Sequence, residues 1–226
     1  MIDLTCIGTG SKGNCYLLNC DGQKLLLDCG LSVKRIKIGL NFDLSGIVGC
    51  LVTHNHKDHS LSALNVECMG IPVYKPYECV NQMRSKHFGD ILVQSFPVPH
   101  DGVPCVGYII TYGVWKMLYA TDFEYIPWHF DGMRINAMLI ECNHQDEITD
   151  DLAENYGHVV RGHASLNVTR DAVVANTTDA LTDVILCHLS EMNAYPAEMV
   201  KVIKSAVPDS VNVSIASRGE CYKLLA

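Results

Sequence analysis

The sequence predicts one α/β domain that contains much antiparallel sheet. Two observations predict this class: paired apolar segments flank tight turns in the first half, and strand-like segments alternate with helix-like ones in the last third. The chain has 226 residues, 48% of them hydrophobic, which is enough for one sizeable core. No linker, low-complexity stretch or repeat interrupts it, so we expect residues 1–226 to form a single domain.

Strands are predicted where short apolar runs end at turn signals. The dipeptide Asp21-Gly22 lies between two such runs and predicts a hairpin, as does Tyr112-Gly113 further along. A glycine-rich loop at residues 8–14 separates the first strand from the first hairpin. The predicted strands are residues 1–7, 15–20, 24–28, 47–53, 72–74, 91–98, 106–112, 114–120, 137–142, 183–187 and 211–215.

Helices are predicted where apolar residues recur at helical spacing. Ser165 and Pro196 are typical helix-start residues. An acidic run at residues 146–154 opens another predicted helix, where carboxylates stabilise the N-terminal end of the helix dipole. The predicted helices are residues 61–69, 77–86, 147–160, 165–180 and 197–206.

Charge and cysteine content exclude several classes of protein. A formal net charge of −8 argues against a protein that coats nucleic acid through bulk positive charge, although one local cationic site could still bind it. The 11 cysteines are odd in number, form no CxxC pair and lie mostly in apolar runs, as expected for buried thiols in a reducing cytosol. Neither a signal peptide nor an apolar run of membrane-spanning length is present, so we expect a cytoplasmic protein without membrane contact.

The strongest chemical signal is a cluster of four ligand-type side chains directly after an apolar strand: His54, His56, Asp58 and His59. Strand residues alternate in direction, so the first two histidines should project to the same side. Imidazoles and a carboxylate suit zinc, manganese or iron. A solvated loop explains one histidine well, but it explains four ligand-type residues in six positions poorly.

Such a cluster needs further ligands from other strand ends. His100, Asp122 and His188 each stand where a strand-like run stops. Taken singly, such residues are more often surface, capping or turn residues. Their joint pattern makes them candidate metal ligands.

These motifs resemble the metallo-β-lactamase superfamily over nearly the whole chain. The sequence His-x-His-x-Asp-His is the superfamily's signature, and residues 27–30 are similar to its Asp-x-Gly turn. The resemblance implies a four-layer αββα sandwich with the site at one edge between two sheets. It implies two divalent ions, zinc first and manganese or iron as alternatives. The implied ligands are His54, His56 and His100 for one ion, Asp58, His59 and His188 for the other, and Asp122 as a bridge.

Finer motifs resemble the YycJ/WalJ-like branch of the superfamily, which is associated with exonuclease activity on DNA. They are residues 8–14, 141–144, 162–165 and 188–193. One departure is Leu166, which separates Ser165 from Asn167 where the branch usually places them side by side. The resemblance implies a phosphodiester hydrolase, and within that class a nuclease, whose nucleophile is a hydroxide that bridges two metals.

The same resemblance suggests roles for individual residues. Asp58 would orient the attacking water, and His163 would act as the general acid at the leaving oxygen. The alternative for His163 is a helix-start histidine without a substrate role. Candidate phosphate or substrate contacts are Ser165, Asn143, His144 and Lys12, of which Ser165 could equally be an ordinary N-cap and Lys12 part of a simple turn.

Other functions stay open on the same site. The substrate could be a small cyclic phosphodiester, a thioester or a lactam instead of a nucleic acid. A diiron redox protein is disfavoured because no room remains for an electron-carrier domain, and a non-catalytic module is disfavoured because all seven ligand positions are filled. The expected partner is nucleic acid or a small phosphodiester as substrate, and no obligate protein partner is evident.

Overall fold

Two β-sheets pack against each other in the structure, a computed structural model in which residues 1–146 and 162–225 are described. The first sheet contains β1 (Ile2–Gly8), β2 (Cys15–Cys20), β3 (Gln23–Leu27), β4 (Ile47–Leu51), β5 (Val73–Tyr74) and β13 (Cys221–Leu225). The second contains β6 (Ser85–Phe88), β7 (Ile91–Val98), β8 (Cys105–Tyr112), β9 (Trp115–Ala120), β10 (Ala137–Glu141), β11 (Asp183–Cys187) and β12 (Asn212–Ile215).

Both sheets are mixed. The first has the order β13-β1-β2-β3-β4-β5, with parallel pairing from β3 to β5 and antiparallel pairing elsewhere. The second has the order β12-β11-β10-β9-β8-β7-β6, with β9 to β12 parallel and β6 to β9 antiparallel. In each sheet the parallel strands bring their carboxyl ends to one edge.

Five α-helices accompany the sheets in the described part of the chain. They are α1 (Val33–Gly39), α2 (Lys57–Ser60), α3 (Ala63–Cys68), α4 (Leu166–Ala175) and α5 (Pro196–Ala206). Helix α1 contacts β1 and α3 contacts β5, whereas α4 contacts β10 and α5 contacts β12. Each sheet therefore has its own helices, and the predicted αββα metallo-β-lactamase fold is confirmed.

The parallel strands β10 and β11 of the second sheet are buried on both faces, as parallel strands covered by helices usually are. Leu139 and Ile185 belong to the core shared with the first sheet, whereas their neighbours Met138 and Val184 face a second core under α4 and α5. Alternation along the strand divides the apolar residues between the two cores. This double burial explains why the sequence of these strands is continuously apolar.

Most predicted strands and both predicted hairpins are present. Asp21 and Gly22 have φ of 52° and 93°, the left-handed pair that a two-residue hairpin needs. Ser165 caps α4, and Pro196 occupies the first turn of α5, as predicted. Among the described residues no helix is long and apolar enough to cross a bilayer.

Two helix predictions are wrong in part. Residues 77–86 form no α-helix, because the segment holds a 3-10 turn at Pro76–Glu78 and then enters β6, which pairs with β7. The helix predicted at residues 165–180 ends at Ala175, where the side-chain amide of Asn176 donates to the carbonyl of Ala172. The helix predicted at residues 147–160 lies outside the described residues.

Candidate metal centre

The candidate ligands follow strands whose carboxyl ends meet at one edge of the sandwich. Residues 54–59 follow β4, while His100, Asp122 and His188 follow β7, β9 and β11. The structure brings all seven predicted metal ligands together here. Asp28 follows β3 at the same edge.

Three of the residues after these strands have a left-handed backbone. The φ angles are 57° at Asp28, 53° at Asp122 and 53° at His188. This conformation costs free energy for a residue with a side chain, and it tends to occur at functional sites. Asp122 and His188 contribute side chains to the cluster from this conformation, and Asp28 contacts the cluster residue His59.

Gly30 permits the two loops of the first sheet to touch. A Cβ at this position would lie 1.6 Å from the carbonyl oxygen of Asp58, which no side chain allows. The close contact is held by the amide of Cys29, which donates to the carbonyl of His59 at 2.9 Å. The Asp-x-Gly turn therefore fixes the position of the loop that carries four ligands.

The first ligand group consists of His54, His56 and His100. One ring nitrogen of each lies within 4.8 Å of the others and of an Asp122 oxygen, so the four atoms could hold a metal ion. Nδ1 of His100 donates a hydrogen bond to the carbonyl of Gly162 at 2.6 Å, so that Nε2 faces the cluster. Burial, followed by the nearby His59 cation, lowers the pKa of His54 well below its usual value. Burial likewise lowers the pKa of His56.

The second ligand group consists of Asp58, His59 and His188, and it shares Asp122 with the first. Nε2 of His59 lies 3.4 Å from Asp58 Oδ2 and 3.3 Å from Asp122 Oδ1. Nε2 of His188 lies 3.4 Å and 3.5 Å from the same two atoms. Burial opposes protonation of His188, but Asp122 and its other carboxylate neighbours outweigh it and raise the pKa to about 10.

Asp28 orients His59 from outside the cluster. Its Oδ2 lies 2.7 Å from Nδ1 of His59 and accepts a hydrogen bond from the Tyr119 hydroxyl at 2.5 Å. Its Oδ1 accepts from the Thr53 amide at 2.9 Å. The carboxylate is fully buried. Burial disfavours the His59 cation, yet Asp122 and Asp28 together raise its pKa well above the usual value.

Glu141 orients two histidines at once. Its Oε1 lies 2.7 Å from Nδ1 of His163 and 3.1 Å from Nδ1 of His188. Its Oε2 accepts from the amides of Phe123 and Ala164. Burial opposes ionisation, but the His163 cation and the hydrogen bonds with His163 and His188 bring the pKa of Glu141 down to about 2.

The donor set fits divalent ions. Nε2 of His54 is fully buried and has no hydrogen-bond partner among the described residues, which is costly unless a ligand occupies that direction. Five imidazoles and two carboxylates surround this point, and such donors suit a borderline ion. Asp28 and Glu141 supply the outer contacts that commonly orient ligating histidines.

The alternation argument for His54 and His56 is wrong in detail. Strand β4 ends at Leu51, so neither histidine belongs to it, and His56 precedes the first turn of α2. Their rings nevertheless lie 4.5 Å apart because the loop folds back over the sheet edge.

His163 lies beside the second ligand group. Its ring stacks on that of His188 with centroids 5.2 Å apart, and it lies 5.5 Å from the ring of His100. Burial disfavours its cation, but the Glu141 carboxylate outweighs burial and raises the pKa of His163. A histidine whose protonated form is favoured by a carboxylate partner is thus placed at the cluster's margin.

The four candidate substrate contacts are less uniform. Ser165 donates to Asp146 at 2.6 Å and accepts from the Val168 amide, so it acts as an N-cap whose helix end already faces a carboxylate. Lys12 forms an exposed ion pair with Glu191 at 2.6 Å. Neither residue points to a preformed phosphate site.

Asn143 and His144 lie deeper in the structure. Asn143 donates to the carbonyl of His188 at 2.9 Å and therefore supports a predicted ligand. His144 is buried, its Nδ1 lacks a hydrogen-bond partner among the described residues, and burial lowers its pKa. Direct substrate contact by either residue stays a prediction.

The anchoring carboxylates Asp28 and Glu141 were not among the predicted site residues. Both lie within motifs that resemble the family, at residues 27–30 and 141–144. Each is an acidic residue next to an apolar run, which is a usable signal for a buried anion with a fixed partner. The partner itself could not be read from the sequence.

Comparisons with known proteins identify relatives in sequence and in fold. The family model described as "Anti-Pycsar protein Apyc1" matches residues 2–66. Exodeoxyribonuclease YycJ of Bacillus anthracis is 30% identical over 81% of each chain. Exodeoxyribonuclease WalJ of Streptococcus pneumoniae serotype 2 is 27% identical over 83% of this chain and 81% of its own. The metallo-β-lactamase fold protein YhfI of Bacillus subtilis has a TM-score of 0.76 at 17% identity, covering 99% of this chain and 100% of its own.

Proposed function

The chain belongs to the YycJ/WalJ family of metallo-β-lactamase-fold hydrolases, and we propose from this premise that it is an exonuclease that hydrolyses DNA from a strand end. The coarser function, metal-dependent hydrolysis of phosphodiesters, follows from the family and from the His–Asp cluster. Two divalent ions are proposed, one held by each ligand group, with Asp122 shared between them. Zinc is the first choice because imidazole donors predominate, and manganese or iron are the alternatives.

One observation carries the choice of a phosphodiester: the pair of His163 and Glu141 beside the cluster. Hydrolysis of a diester expels an alkoxide of high basicity, which needs a proton as the P–O bond breaks. The Glu141 carboxylate on Nδ1 stabilises the imidazolium and raises the pKa of His163, which favours the form that can donate a proton from Nε2. In the proposed step this proton passes to the leaving oxygen, and solvent water later restores it.

The remaining residues divide the work of binding and orientation. When bound, the two ions supply Lewis-acid stabilisation of the phosphoryl oxygens and lower the pKa of water. Asp58 is the most exposed carboxylate of the cluster, with 26% of its side chain accessible, which suits it to orient an attacking water. Asp28, Glu141 and Asn143 hold ligating histidines in place and need not touch the substrate.

Burial of the cluster favours a strand end over the middle of a duplex. His54 and His59 are 0% exposed, His100 is 1% and His188 is 2% exposed. We infer that a phosphate inside a continuous duplex, which is flanked on both sides, approaches ligands buried to this degree less readily than a terminal phosphate does. A small cyclic diester is not flanked in this way either, and it is the alternative substrate.

The test is digestion of end-labelled linear DNA, RNA and circular single-stranded DNA by protein reconstituted with zinc, manganese or iron. We expect linear DNA to be shortened from one end while the circle persists. Equal cleavage of the circle would overturn the exonuclease mode. Turnover of a cyclic mononucleotide without cleavage of any polymer would overturn DNA as the substrate.

A cytoplasmic location is proposed on the basis of the thiols. All 11 cysteines are free and eight of them are buried, as in proteins of reducing compartments. The test is to extract the protein under acid quench, unfold it and label it with a thiol reagent. All 11 cysteines should then be modified. Disulfides in freshly extracted protein would contradict this location.

A further inference from the structure

A second cavity lies away from the metal ligands, between α1, β1 and the turn that precedes β13. It encloses about 320 Å³, and none of the residues that line it belongs to either ligand group. Cys6 and Ile7 of β1 are buried at this place, while Ile38 of α1 is 46% exposed. Its floor is thus apolar and one wall offers an accessible apolar side chain.

Two arginines line this cavity, Arg35 from α1 and Arg218 from the turn. Among residues 1–146 and 162–225, neither guanidinium has a carboxylate within the 4.0 Å of an ion pair. The cavity thus brings two guanidinium groups together without a neutralising carboxylate of the described residues. Guanidinium groups bind phosphate oxygens in a two-pronged geometry.

The cavity is joined to the metal cluster through the glycine-rich loop at residues 8–14. On one side Arg35 Nη1 donates to the carbonyl of Lys12 at 3.3 Å. On the other side Asn14 Nδ2 lies 3.0 Å from Nε2 of His59. The amide of His188 donates to the Thr9 hydroxyl at 3.0 Å. One loop therefore separates the cavity from both histidines of the second ligand group.

We propose that this cavity binds a backbone phosphate of the DNA strand whose end is hydrolysed at the metal cluster. Arg35 and Arg218 hold the phosphate oxygens, and Ile38 contacts the adjoining sugar. The inference rests on the proposed exonuclease function for the identity of the strand. The arginines position the substrate and take no part in the reaction.

The test compares Arg218→Gln and Arg35→Gln with wild-type protein on a dinucleotide and on single strands of 10 and 20 nucleotides. On the long strands KM should rise about five- to tenfold for each arginine lost, the size of one charged contact. The ratio of variant KM to wild-type KM should grow with strand length, and kcat should change much less. The slope of log affinity against log salt should become shallower by about 0.7 per lost contact.

The matched control is Arg134→Gln, which removes one exposed positive charge at a distant turn, where Arg134 pairs with Asp179 at 3.1 Å. It should keep the wild-type KM and salt slope. If Arg218→Gln behaves like this control on every strand, the strand site is refuted. If it weakens binding of a mononucleotide but not of the 20-mer, the site serves free nucleotides and the strand assignment fails.

Binding is also measured by fluorescence anisotropy of a labelled 20-mer on metal-free protein. This measurement separates the two proposals, because it does not require hydrolysis. Wild-type protein that binds the strand through both arginines but never cleaves DNA would sink the exonuclease proposal and leave the cavity assignment standing. Cleavage without any contribution from the arginines would do the reverse.

Discussion

The first and second ligand groups differ in the partners that orient their imidazoles. In the first group the outward ring nitrogens face neutral partners, a threonine hydroxyl and a backbone carbonyl. In the second group they face the buried carboxylates Asp28 and Glu141. A carboxylate on the far nitrogen makes an imidazole a stronger base and a stronger ligand. The ligating imidazoles of the two groups therefore differ in basicity.

The difference has a consequence for metal loading. Burial leaves His54 and His56 unprotonated at neutral pH, so an ion can bind there without displacing a proton. His59 and His188 carry protons in the metal-free protein because anionic neighbours raise their pKa values. Metal binding to the second group must release those protons and therefore depends more strongly on pH.

The largest effect is expected from Asp122→Asn, because both ligand groups include Asp122. The neutral amide removes a negative charge that lies among the ligating imidazoles. It should therefore weaken metal binding by both groups, and not by one group alone. We expect metal content to fall and turnover to drop by about a thousandfold or more, several kcal/mol of barrier. Metal analysis and DNA digestion on the same preparation measure this, and a variant with full metal content and activity would contradict it.

The next largest effect is expected from His163→Asn. Loss of the general acid should slow hydrolysis of DNA about 10²- to 10⁴-fold without loss of metal. The effect should be far smaller on bis(p-nitrophenyl) phosphate, whose leaving group needs no proton. Equal losses on both substrates would sink the general-acid role, and lost metal would make His163 a ligand.

A more selective effect is expected from Asp28→Asn, because Asp28 contacts His59 of the second group directly and reaches His54 of the first group only through the Thr53 hydroxyl. Removing the anchor of a ligating histidine typically weakens metal binding about 10- to 100-fold. The variant should lose its second ion at a zinc concentration that still fills the first group. Simultaneous loss of both ions would show that the two groups do not bind independently. The control variant is Asn136→Asp, which makes the reverse exchange between amide and carboxylate at a hydrogen-bonded position remote from the cluster. It shows what such an exchange does to the protein when no metal ligand is involved.

The smallest effect concerns the stability of metal-free protein. The pKa of His188 is raised from 6.5 to about 10, so its contribution is fully present below pH 6.5 and is lost as the pH rises through 10. In the presence of a chelator, Tm should fall by a few degrees between pH 7 and 10, since about 1 kcal/mol shifts Tm by roughly 2–4 °C at this size. Metal-loaded protein should show a flatter profile. A chelated protein whose Tm rises over this range would contradict the protonated second group.

The fold was largely predictable because its signals are local. Asp21-Gly22 specifies a hairpin by itself, and a continuous apolar run such as Val184 to Leu186 specifies a doubly covered strand. The first helix, Val33–Gly39, was missed because its seven residues bury only Ile36 and give no periodic pattern. The short edge strand at Ser85–Phe88 was mistaken for helix because pairing with β7, and not local propensity, decides its conformation.

The ligand positions were predictable from one dense motif and three strand ends. The carboxylates that orient the ligating histidines were not predictable in this way. Asp28 and His59 are 31 residues apart in sequence and 2.7 Å apart in space. Glu141 meets His188 across 47 residues. Contacts of this kind depend on how the loops cross the sheet edge, which a single sequence does not encode locally. Arg35 and Arg218 were not predicted to lie together for the same reason, since only the fold brings them to one cavity.

The central claim is that both ligand groups must hold an ion for DNA to be hydrolysed. It is tested most directly by titrating metal-free protein with zinc at pH 7.5 while bound metal and release of end label are followed in parallel. We predict saturation at two ions per chain, with hydrolysis rising mainly on the second equivalent. Saturation at one ion, or full hydrolysis with only one bound, would contradict it.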